Sequence, residues 1–180
     1  MDQLVAEFTP DTKLAWQVIG IRMLLAVVLG GILGFERELG AHAAGLRTHM
    51  LVCLASATFA LVTVEIVWMP AFDRQEVRAD PIRLVEAITA GVAFLAAGFI
   101  IFTRGQVRRL TTGAGMWLAA SIGLAAGLGL WEIAILACLL GAIVLAILRR
   151  VEARFELNKP SRHKETEVAG QIPKVRTGST

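Results

Sequence analysis

Glu36, Arg37, Glu38, His42, Arg47 and His49 place a cluster of titratable side chains between two long apolar runs. Glu36 and Glu38 could bind a divalent cation, but two carboxylates alone make a weak magnesium site, since that ion keeps several waters and tolerates little distortion. The same carboxylates could instead tie to Arg37 and Arg47 through charge-assisted hydrogen bonds, which is the favoured reading. His49 and Cys53 stand one helical turn apart with His42 nearby, yet nothing supplies the remaining ligands, so no metal site is expected. No nucleophile with a base and no phosphate loop appears, so neither catalysis nor a cofactor is expected.

A second set of charges lies within the apolar runs themselves. Arg22 sits roughly 12 Å inside the first run at about 1.5 Å per residue, too deep to reach water easily, and so needs a partner. Glu65, near the end of the second run, and Glu86, near the start of the third, lie at similar depth. The expected pair is Arg22 with Glu86 or with Glu65, acting as a structural clasp or as part of a cation or proton path.

The elements that must position these groups follow from composition. With 56% hydrophobic and 18% charged residues and a mean hydropathy of +0.64, the chain does not read as a soluble domain. Apolar runs near the roughly 20 residues that cross a bilayer predict helices at about 14–35, 48–69, 84–103, 111–130 and 131–149. The expected fold is therefore an all-α integral membrane protein, a bundle of five transmembrane helices occupying 1–150. Gly127, Gly129 and Glu132 mark the turn between the last two. Residues 151–180 are polar and too few for a core; 151–156 could continue the last helix, and the rest is expected to be largely disordered.

Lys and Arg crowd the connectors at 36–47 and 104–110 and the tail from 149, against only Lys13, Arg74, Arg78 and Arg83 on the other side. That bias places the N-terminus outside and the C-terminus in the cytoplasm, and puts Trp16, Trp68 and Trp131 at the outer interface. Basic residues clustered this way orient a bundle and face anionic lipid, and do not make a nucleic-acid footprint. Asp2, Glu7 and Asp11 against Lys13 lack the positive start of a cleaved signal peptide, so the first helix is expected to be retained. Thr111 or Thr112 is expected to cap the fourth helix. Small residues recur by fours as Ala26, Gly30, Gly34; as Gly115, Ala119, Gly123, Gly127; and as Ala134, Cys138, Ala142, Ala146. Such stripes serve packing within one bundle or the seam of a homo-oligomer. Cys53 and Cys138 read as small apolar packing residues.

The chain resembles the MgtC/SapB family of bacterial inner-membrane proteins. The resemblance rests on Gly34-Phe35-Glu36-Arg37-Glu38, Ala44 to Val52, Asp80-Pro81-Ile82-Arg83, Phe94 to Gly98, and Leu110 to Ala114 followed by Trp117. These run in the expected order from about residue 20 to 147. Departures fall at Ala93, Ala96 and Arg109, where the family usually has glycine, and near Glu86, where it has glutamine. The resemblance implies the short, membrane-only form and a role in adaptation to low magnesium and, in pathogens, virulence. It implies action through membrane partners such as the ATP synthase, with Glu36, Arg37, Glu38, Arg47, Asp80, Arg83, Thr111 and Thr112 as the functional residues. The competing expectation is a small transporter or channel for Mg²⁺ or H⁺.

Overall fold

The computed structural model describes residues 12–40, 42–68, 80–103, 106–108 and 110–157. Five helices long and apolar enough to cross a membrane make up nearly all of it. They are α1 (Trp16–Leu39), α2 (Leu46–Trp68), α3 (Pro81–Phe99), α4 (Leu110–Leu128) and α5 (Trp131–Leu157). Residues up to Ala146 form one compact unit and those from Ile147 a second; all packing below lies within the first. The expectation of a disordered tail concerns residues mostly outside the described ones, as do Arg74 and Arg78.

Two boundaries differ from the sequence expectation. α1 runs on to Leu39, so Glu36, Arg37 and Glu38 belong to its last turns and not to a connector. α3 ends at Phe99, short of the expected 103, because Ile101–Thr103 forms strand β1 and pairs antiparallel with β2, Gln106–Arg108. Ile101, Phe102, Thr103 and Val107 favour extended backbone, and this hairpin is the one departure from an all-helical chain among the described residues.

α4 is the central helix: 61% of its span is buried, against 33% or less for the other four. Its composition explains this. Lipid tails are as apolar as leucine, so helices in a bilayer gain by close contact, which small residues permit. Gly123 and Gly127 lie directly on α2: a Cβ on Gly123 would collide with the Cys53 backbone, and one on Gly127 would come 2.5 Å from the Ala57 carbonyl. Between them Cys53 Sγ donates to the Ala119 carbonyl at 2.9 Å. α1 meets α2 the same way, since a Cβ on Gly30 or Gly34 would lie 2.8 Å from the His49 carbonyl or from Leu46 Cα. The third stripe also packs inward, with Ala134 and Cys138 buried in the same core cluster and Cys138 Sγ donating to the Leu29 carbonyl at 3.5 Å, so all three serve packing within the bundle.

α4 stops where glycine allows. Gly129 takes φ +83°, its N–H donates to Ala126 at 3.0 Å, and the Leu130 N–H reaches back to Ala125 at 2.8 Å. This 6→1 and 5→2 pair of bonds satisfies the last carbonyls and turns the chain directly into α5. At the start of α1, Glu65 accepts the Lys13 and Leu14 N–H groups at 2.8 and 3.0 Å, and the Lys13 ammonium lies 3.9 Å from the Trp68 ring centroid. The end of α2 thus holds the entry to α1, which has no side-chain cap of its own.

Candidate functional site

The end of the bundle where α1 finishes and α2 and α4 begin gathers most of the expected polar residues. Gly34 brings α1 against the first turn of α2, and Glu38 then accepts the Leu46 N–H at 3.0 Å, capping α2 from across the connector. Arg37 is 3% exposed and donates through Nη2 to the Thr111 carbonyl. Its own carbonyl accepts the His42 N–H at 3.2 Å and lies 3.2 Å from His42 Nδ1. Arg37 thereby ties α1 to the start of α4 and to the connector before α2.

His49, fully buried, completes this layer. Its Nδ1 lies 2.9 Å from the Gly45 carbonyl, so Nδ1 carries the proton and Nε2 presents a lone pair. That Nε2 is buried without a hydrogen-bond partner, as is Glu36 Oε2. The absent side chain of Gly115 makes room here: a Cβ there would lie 3.2 Å from His49 Nε2 and 3.5 Å from Arg37 Nε and Nη2. Buried polar atoms left unmatched are costly, so their retention marks this layer as the candidate site.

The sequence-derived residues divide between the two ends. Glu36, Arg37, Glu38, Arg47, Thr111 and Thr112 fall at this end; Arg47 is exposed, Thr112 is buried, and Thr111 contributes its carbonyl. Asp80 and Arg83 open α3, which runs antiparallel to α4, with Ala96 against Gly113 and Ile88 in one cluster with Ala120. They therefore lie at the far end. Asp80 accepts the Ile82 N–H at 2.9 Å with Pro81 behind it, the geometry of a helix cap, and Arg83 is exposed.

The expected pairing of Arg22 does not occur among the described residues. Arg22 Nη1 donates to the Gly127 carbonyl at 3.0 Å, Glu65 is taken up by the two amides before α1, and Glu86 is exposed. The physical reason is that the end of α4 offers free carbonyls and the negative pole of its dipole, which suit a guanidinium without burying a second charge. Among the described residues no group of His, Cys, Asp and Glu is placed to hold a metal ion. Sequence reasoning left His49 and Gly115 out of the site; the signal for His49 was a histidine just inside an apolar span, and for Gly115 its place at the head of the small-residue stripe.

The MgtC family model matches residues 23–154, which include every residue of this end and exclude Arg22. The chain is 33% identical over 139 residues to the "Putative magnesium transporter YhiD" of Escherichia coli (strain K12), across 77% of this chain and 64% of that protein. It is 30% identical over 145 residues to protein SrpB of Synechococcus elongatus, across 76% of this chain and 78% of that one. With protein MgtC of Brucella abortus (strain 2308) it shares 38% identity over 125 residues, 69% of this chain and 48% of that protein. Two of these three relatives are thus matched over less than two thirds of their length. No solved structure matches the chain.

Proposed function

We propose a function for a chain that belongs to the MgtC family: it supports adaptation to low magnesium from the bacterial inner membrane by binding and regulating membrane partners, the ATP synthase among them. The N-terminus faces outward and the C-terminus the cytoplasm, which puts Arg37, His49 and Arg47 on the cytoplasmic side, in line with the bias of basic residues.

One observation carries this reading over transport. A permeation path needs polar groups through the whole depth, and here the half of α4 that ends at Leu128 lies directly on the α2 backbone at Gly123 and Gly127. The hydroxyls of Thr58, Thr63 and Ser121 turn back onto the carbonyls of Leu54, Phe59 and Trp117 in their own helices. Charged groups among the described residues sit at the two ends and, as Arg22 and Glu86, in the half of the bundle where α4 finishes. A cation transporter is the competing reading, and its support is the name of the Escherichia coli relative.

The test is ATP-driven proton pumping in inverted membrane vesicles from cells with and without the protein. Pumping should fall when the protein is present and recover with Arg37→Ala; unchanged pumping removes the ATP synthase from the account.

A further inference from the structure

α3 buries Ile88, Val92 and Ala96 and leaves Arg83, Glu86, Ala90, Phe94 and Ala97 exposed. At about 100° per residue these five share the face opposite the buried stripe. Phe94, 81% exposed, is the most exposed large apolar side chain among the described residues. Glu86 lies about 6 Å inside the Ile82–Phe99 span, at about 1.5 Å per residue. A carboxylate on a lipid-facing surface at that depth is costly unless a cation covers it. Neither Glu86 nor Arg83 has an ion-pair or hydrogen-bond partner among the described residues, and two other bases towards that end of the bundle are engaged elsewhere: Arg22 on the Gly127 carbonyl and Lys13 over Trp68.

We propose that a second copy of this chain docks on this face of α3, with Arg83 of each copy paired to Glu86 of the other. A two-fold axis along the bilayer normal makes every contact twice, so one basic and one acidic residue a turn apart on the same face are self-complementary. Within one helix the same residues stand in the less favourable order, with the base N-terminal to the acid. Ala90 and Ala97 admit close approach of the two backbones. An apolar groove of about 480 Å³ between α3 and α4, lined in part by Ala93, Ala97 and Trp117, offers a seat for the second copy's Phe94.

The test uses the full chain in liposomes. Ala90→Cys, oxidised with copper phenanthroline, should give cross-linked dimer far above Leu139→Cys on the exposed face of α5. The buried Cys53 and Cys138 of the unaltered chain should give none. Arg83→Glu or Glu86→Arg should each cut the cross-linked fraction about tenfold, and the double exchange should restore it. Photobleaching of the labelled, otherwise unaltered chain at low protein-to-lipid ratio should show two steps. Single steps, a cross-link no better than that of Leu139→Cys, capture of a different protein only, or a double exchange that inserts but fails to rescue would each overturn the proposal.

Discussion

Arg37 joins α1, the connector and α4 through one side chain and its own carbonyl, so its loss should be felt in all three. Arg37→Met should lower stability by about 1.5–3 kcal/mol, the range for a hydrogen bond to a charged group, and Arg37→Lys should not restore it, because an ammonium lacks the planar fork. Thermal unfolding in detergent measures both. Gly115→Ala should lower stability by about 1 kcal/mol, since its Cβ would sit 3.2 Å from Nε2 of His49, a ring held at Nδ1 by the Gly45 carbonyl and unable to move aside freely. If Gly115→Ala unfolds at the same temperature as the unaltered chain, the packing ascribed to this layer is wrong. At this scale the sequence was half legible. Motif residues Arg37 and Thr111 proved to be neighbours, but nothing in the chain said that the contact would use the Thr111 carbonyl. Arg22 was misread for the same reason: depth can be counted along a helix, whereas the backbone carbonyls that meet a side chain depend on which helix end lies beside it.

Among the elements, α4 bears the most constraint and α3 little, with 61% and 17% of their spans buried. Gly123→Leu should prevent α2 and α4 from closing, with a loss above about 3 kcal/mol or failure to fold, because the obstruction is Cys53 backbone and cannot move aside. Gly91→Ala on α3 meets nothing within 4 Å and should leave stability unchanged or raise it by up to about 1 kcal/mol. Comparing the two by unfolding in the same detergent checks the assignment of α4 as the central helix. All five helices could be read from apolar length, α3 with its end set four residues too late, and the last turn from Gly129. The short hairpin escaped notice because three-residue strands carry too little periodicity to separate from a loop. The spatial order of the helices escaped it because every face of a lipid-embedded bundle is apolar, so hydropathy does not say which face turns inward.

For the whole molecule, the described charges lie towards the two ends, with Arg22 and Glu86 the deepest, and α4 packs through Gly123 and Gly127 directly on the backbone of α2. That distribution suits a protein which presents surfaces to other membrane proteins and conducts nothing itself. The most direct measurement is ion flux in proteoliposomes, following Mg²⁺ and H⁺ indicators with the unaltered chain and Arg22→Ala side by side. Folded, inserted protein should give no flux above empty vesicles. Flux above that level, lost with Arg22→Ala, would contradict it and make the end of α4 that Arg22 holds part of a transport path.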